Sequence, residues 1–183
     1  KIVLAQWGIL PAWATHLAKK GGLINVRFET LRDRKTFRAD LKMRRCLVPS
    51  DGFYEWKTVP GSKKKQPIYI RLKDGEMFAF AGLYAPPNPD GEPIETCTII
   101  TTEPNSLLAE IHNRMPVILD PKDFNVWLDE EQYPPATVQE LLKPFPAADM
   151  TATPVSRKLN NVRNEGPDIL TTDDRSPQGD LFN

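Results

Sequence analysis

The sequence predicts an α+β domain dominated by antiparallel strands, and three observations carry that prediction. Short apolar runs rich in β-branched and aromatic residues recur along the chain ("QPIYIRL", "MFAFAGLY", "TCTIITT"), bounded by turn residues. Segments with helical periodicity lie between them and are short. Proline is abundant, 18 of 183 residues, close to twice the usual ~5%. That density interrupts helices and leaves much backbone extended or irregular. A chain of this length fits one domain with a real core.

In chain order, residues 1–6 read as a strand followed by the turn-forming "WGILPAWA". "GGLINVRFET" begins with two glycines, a tight turn into an extended segment holding Asn25 and Arg27. Residues 28–40 fit one helix with Phe28, Leu31 and Phe37 inward. "RCLVPSDGFYEWK" is a strand that breaks at Pro49-Ser50-Asp51-Gly52 and resumes as "FYEW". "QPIYIRL" and "MFAFAGLY" on either side of Asp74-Gly75 predict a β-hairpin. "TCTIITT" is a buried strand, and "NSLLAEIH" a short helix capped by Asn105 that delivers His112 near its end. "PVILD" is a strand, "PKDFNVWL" a short helix with proline in its first turn, and residues 137–143 one more helix. The polar "TDDRSPQGDLFN" reads as a flexible tail, so the domain is expected over residues 1–172 and the tail over 173–183.

Lys+Arg and Asp+Glu each number 24, so overall charge points to no class of partner. Its placement is uneven. Residues 27–45 hold eight cations (Arg27, Arg32, Arg34, Lys35, Arg38, Lys42, Arg44, Arg45) against Glu29, Asp33 and Asp40, while residues 120–150 hold seven acids and two lysines. The basic stretch is either a face for a polyanion or a solvated surface. Cys46 and Cys97 sit in apolar surroundings and read as buried free thiols, in keeping with a reducing cytoplasm. No metal-ligand spacing, secretory signal or membrane-length apolar run is visible. No cofactor is expected.

Four places could carry chemistry. Glu55 lies between Tyr54 and Trp56 and shares a strand face with Phe53. It is either an exposed edge-strand residue or a carboxylate in a partly dry pocket, where desolvation makes it a usable proton carrier. Asn25 and Arg27, two apart, face the same way, and an amide beside a guanidinium suits a phosphate and its sugar, with a turn-and-cap role as the alternative. His112 and Arg114 repeat that spacing and predict imidazole and guanidinium side by side, against simple helix capping. Trp7 and Trp13 could stack on unpaired bases. Trp7, beside Gly8, reads more as core.

The ordered blocks "WGILPAW", "INVRFET", "RRCLVPSDGFYEWK", "KQPIYI", "FAFAGLY", "IITTEPN", "EIHNRMPVIL" and "PVSRKLNNVRNEGP" resemble the SOS-response-associated peptidase (SRAP) family over roughly residues 3–170. The resemblance implies a curved, barrel-like, mostly antiparallel sheet with short flanking helices. It implies recognition of abasic sites in single-stranded DNA in the DNA damage response, and a covalent DNA–protein crosslink. It places active-site roles on Asn25, Glu55 and His112, phosphate contacts on Arg27 and Arg114, and a DNA-facing aromatic on Trp13. A soluble cytoplasmic monomer that joins the nucleoid on damage is the matching expectation.

In that family an N-terminal cysteine supplies an α-amine and a thiol. The amine, with a pKa of roughly 7.7–8.0, forms an imine with the opened abasic aldehyde, and the thiol closes a thiazolidine ring. This sequence opens with Lys1, and the expectation is that the natural beginning with its cysteine is missing, leaving the chain inactive in the covalent step. Cys46 and Cys97 have amide nitrogens and cannot substitute. Two further readings stay open: a thiol-type peptidase acting on its own N-terminus or on peptides, and a non-catalytic single-strand-binding module.

Overall fold

The computed structural model of the protein describes residues 1–9, 22–33, 35–87 and 94–171, and for residues 32 and 35–38 the backbone alone. Trp13 and the segment 173–183 lie outside the described residues.

Strong alternation along the central strands is what layers this molecule. In β6 (Phe78–Ala85), Ala79, Ala81, Leu83 and Ala85 point to one side, Phe78 and Phe80 to the other. Ile100 and Ile99 of β7 (Glu95–Thr102) divide in the same way. A sheet apolar on both faces must be covered on both. One face packs on helices α1 (Phe28–Asp33), α2 (Lys35–Met43), α4 (Phe124–Leu128) and α5 (Pro135–Gln139), with Leu31, Leu41, Trp127 and Val138 completely buried. The other face packs on a second sheet through Ile68 and Ile70 of β5 (Gln66–Leu72) and Met150 of β10 (Met150–Pro154). Each such large side chain contributes about 1.5–3 kcal/mol by leaving water, so this interface fixes how the two sheets meet.

The larger sheet has seven strands: β1 (Ala5–Trp7), β7, β6 and β3 (Arg45–Ser50) in order, with β2 (Asn25–Arg27) and β8 (Met115–Pro116) also paired to β7, and β9 (Ile118–Leu119) to β6. β1 and β2 run parallel to β7; the other described pairings are antiparallel. The smaller sheet has the order β10-β5-β4, with β4 spanning Phe53–Lys57 at its edge. The α+β, mostly antiparallel expectation holds. The described strands form two sheets facing each other, and no closed barrel is found among them.

Two local expectations are corrected. The β5–β6 hairpin is absent, because β5 pairs with β4 and β10 while β6 pairs with β3, β7 and β9. The Asp74-Gly75 turn exists, with Gly75 at φ 77° and its N–H on Leu72 O at 3.2 Å, but it passes the chain from one sheet to the other. Both strands are apolar enough to be covered on two sides, and face-to-face packing of Ile68 and Ile70 on Phe78 and Phe80 replaces edge pairing. Residues 28–40 form parts of two helices, α1 and α2, instead of one. The break at Pro49–Gly52 proves equally consequential: β3 belongs to the large sheet and β4 to the small one.

Candidate active site

The two sheets splay at the free edge of β4, opposite β2 and β8, and leave a pocket of about 570 Å³. Three strands of sequence logic deliver its polar groups.

Asn25 and Arg27 come from β2, in parallel register with Ile99 and Thr101 of β7. Val26 between them is buried, so both flanking side chains face the pocket, as their spacing predicts. The start of β2 is held by the Ile9–Leu23 bridge, two N–H···O=C bonds of 3.0 Å, and by Trp7, whose indole N–H donates to Ile24 O at 2.6 Å. Gly22, at φ 75°, passes so close to Gly8 O that a Cβ would overlap it.

Glu55 occupies the middle of β4, opposite Ile68. β4 is an edge strand, yet the Glu55 side chain is only 21% exposed. Its partners are the strand's own neighbours: Phe53 packs edge-on against Phe80 at 5.8 Å, and Tyr54 stacks on Tyr69 at 5.2 Å. Burial pushes the Glu55 carboxyl above the ordinary glutamate range; the nearby His112, the Trp56 backbone N–H and the Lys65 charge each pull it partly back. A carboxyl so placed holds a proton at higher pH than a solvated one.

His112 sits just past α3 (Ser106–Ala109), whose N-cap Asn105 accepts the Leu108 N–H at 2.9 Å. Backbone bonds from Ile111 and His112 to Leu108 O close this short helix and aim the imidazole at Glu55, Nδ1 to Oε1 being 3.7 Å. Nδ1 lies 3.2 Å from Arg114 O and 3.3 Å from Arg114 N. Protonated, it donates to that carbonyl; bare, it accepts that N–H. Either tautomer finds a partner.

The arginine beside it has partners that its spacing did not predict. The imidazole meets the Arg114 backbone, whereas the guanidinium makes a bidentate pair with Glu29 (2.8 and 2.9 Å) and donates to Thr101 O at 2.7 Å. This pair holds the Glu29 carboxyl below its usual range. Arg114 Nε is buried with no partner among the described residues, and Arg114 lines the pocket. Arg27, by contrast, is exposed and makes no ion pair among the described residues.

Two residues escaped the sequence reading. Trp7, read there as core, is 52% exposed and lines the pocket. Its strand β1 is an edge, exposed along its whole length, so the neighbouring glycine was a poor guide to burial. Trp56, assigned to the face opposite Glu55, lines the pocket too, because the cavity wraps around the edge of β4. The basic stretch 27–45 is no single face: Arg45 is buried, and Arg44 pairs with Asp40 at 3.4 Å. Neither Cys46 nor Cys97 lines the pocket, and burial pushes the Cys46 thiol up to about 12. Among the described residues no cluster of His, Cys, Asp and Glu could hold a metal, and no helix is long and apolar enough to cross a membrane.

A carboxyl, an imidazole and an amide converge between two facing sheets on one pocket rimmed by arginine and tryptophan. The sequence profile of the SOS response associated peptidase (SRAP) family matches residues 1–162, and the chain belongs to that family. It is 45% identical over 166 residues to the abasic site processing protein YoqW of Bacillus subtilis, covering 90% of this chain and 74% of that protein. It is 32% identical to the abasic site processing protein HMCES of Rattus norvegicus, covering 92% of this chain and 56% of that one. A crystal structure of a protein from Bacteroides thetaiotaomicron superposes with a TM-score of 0.78 at 35% identity, over 91% of this chain and 74% of the other.

Proposed function

We propose that this chain binds abasic single-stranded DNA and supplies the proton-transfer groups for a covalent DNA–protein crosslink. The observation that carries the reading is the convergence of Asn25, Glu55 and His112, 87 positions apart from first to last, on one pocket. The kinship to abasic site processing proteins supports it.

The pocket's chemistry fits the lesion. An abasic sugar lacks its base, so the nucleotide leaves room where a pocket group can reach C1′. Arg27 is exposed at the pocket to hold an adjoining phosphate, and Arg114 adds positive charge to the pocket wall. Trp7, Tyr54 and Trp56 offer faces for flanking bases. His112 assists ring opening at the sugar oxygen, Asn25 orients the aldehyde, and Glu55 removes and returns protons as an amine adds and water leaves. With a cysteine at the protein's N-terminus, the amine adds to the aldehyde, water departs to give the imine, and the thiol adds across the C=N bond to close the thiazolidine. The basic rim and pocket need no cofactor for these steps.

Cys46 and Cys97 lie outside the pocket with raised pKa values, so a peptidase reading would draw on the same N-terminal cysteine and is separated by experiment. The test is direct. Natural full-length protein is mixed with a single-stranded oligonucleotide carrying one abasic site and run on a denaturing gel. A covalent band with the abasic strand and none with the intact strand is expected. Peptide cleavage without that band would favour a peptidase, and salt-sensitive binding alone a simple binding module.

A further inference from the structure

We propose that a second, basic pocket beside the candidate active site holds the sugar–phosphate backbone of the same strand as it leaves the lesion. This extends the abasic-DNA reading and rests on it. The pocket, about 420 Å³, opens between the β4–β5 connection and the 3-10 turn Arg157–Asn160. Lys64, Lys65, Arg157 and Lys158 line it together with asparagines and no carboxylate. Other cations of the chain are paired, as in Arg114–Glu29, Arg44–Asp40 and Lys122–Asp120. Among the described residues none of these four has an ion-pair partner.

An exposed lysine run is ordinarily a solvated face. Here the walls are fixed. Asn160 accepts the Trp56 indole N–H at 2.8 Å and donates to Lys65 O at 3.3 Å, and Asn164 donates to Lys158 O at 2.7 Å. Arg157 Nε donates to Gln66 Oε1 at 3.2 Å, which leaves its terminal nitrogens for a ligand. Four unpaired cations held around a concavity suit successive phosphates: lysines as point charges, arginine as a fork.

Continuity with the active site comes from one hydrogen bond. Trp56 lines the first pocket, and the Asn160 that it bonds lines the second. A strand whose lesion sits by Glu55 passes over this pair into the basic pocket. With Trp56 at the junction and only charge and amides beyond it, contact there is to the backbone, without base reading.

The experiment compares oligonucleotides free of lesions, about 3 and about 12 nucleotides long, by fluorescence anisotropy on the full protein. The probed variant is Lys64→Gln/Lys158→Gln; Lys65 is kept because its charge acts on Glu55. Both lysines are exposed, and an unchanged melting curve verifies the fold. The variant should bind the long strand about tenfold more weakly, with a log K against log[salt] slope shallower by about 1.4, and lose little on the short one. Equal affinity and slope for the long strand would overturn the proposal, as would equal losses for both lengths. So would inorganic phosphate, at constant ionic strength, erasing the long strand's advantage, since the pocket would then be a free-phosphate site. If the protein fails to crosslink abasic DNA while the length-dependent loss remains, the crosslinking function falls and this pocket stands.

Discussion

Two arginines, both largely buried, set up opposite kinds of region. Arg45, 3% exposed, ends β3's approach to the helical layer, and its guanidinium is filled by backbone carbonyls. Nε donates to Trp127 O, Nη1 to Leu41 O at 2.8 Å, and Nη2 to Asp129 O at 2.8 Å and Tyr133 O at 3.1 Å. The Glu130 carboxylate takes the Arg45 backbone N–H at 2.8 Å. Arg114 is equally tied by its terminal nitrogens, yet its buried Nε has no partner among the described residues. An unpaired buried donor costs about 1–3 kcal/mol. The first guanidinium is saturated by backbone carbonyls; the second is not. The saturated guanidinium lies in the scaffold, and the unsaturated one at the wall of the candidate site.

The largest expected effect lies on the site side. Glu55→Gln should slow crosslinking by about 10²–10⁴-fold, the usual weight of a positioned acid–base group, measured as the rate of covalent band formation. The same substitution should stabilise the fold near neutral pH. Because Glu55's pKa is raised in the folded state, its favourable contribution is present below the ordinary glutamate range and is lost as pH rises through the raised value. Glutamine imitates the protonated form and escapes that loss, so its melting temperature should exceed wild type at pH 7 and converge with it in acid.

On the scaffold side, Arg45→Lys should cost about 3 kcal/mol in denaturant unfolding, since an ammonium cannot reach four carbonyls on three segments. Oligonucleotide affinity under folding conditions should not change. If affinity falls with stability, the two regions are less separate than their hydrogen bonding implies.

Smaller in effect, Arg114→Ala should weaken single-strand binding by about 1–2 kcal/mol and flatten its salt dependence. It also releases Glu29, whose lowered pKa gives stability above the usual carboxylate range that fades as pH falls through it. The variant should therefore lose less stability between neutral and acid pH than wild type. Unchanged affinity would confine Arg114 to holding Glu29 and Thr101. Least of all, thiol alkylation at neutral pH should be slow at Cys46, whose thiol is held at about 12, and should leave oligonucleotide binding intact.

Much of the site was legible because its signals are local. The period of two predicted that Asn25 and Arg27 face together around a buried Val26, and the Asn105 cap predicted the helix that presents His112. Glu55 among aromatics read either as an exposed edge-strand residue or as a semi-dry carboxylate, and the structure gives the second. What failed depended on partners remote in sequence. Asp74-Gly75 announces a turn but not which sheets its strands join. Trp7 reads as core until β1 proves to be an edge, and Arg45 reads as surface charge until carbonyls from residues 82–88 positions away close around it. The spacing of His112 and Arg114 predicted that both reach one site, as they do, but not that Glu29, 85 positions distant, pairs with the guanidinium.

The account turns on Glu55 working as a proton carrier at the lesion, and the rate of crosslinking to abasic single-stranded DNA against pH, for wild type and Glu55→Gln, tests it most directly. Wild-type rate should climb as pH rises through the raised Glu55 value, and the glutamine variant should be slow and lack that limb. A Glu55→Gln protein that crosslinks at the wild-type rate across the whole range would contradict it.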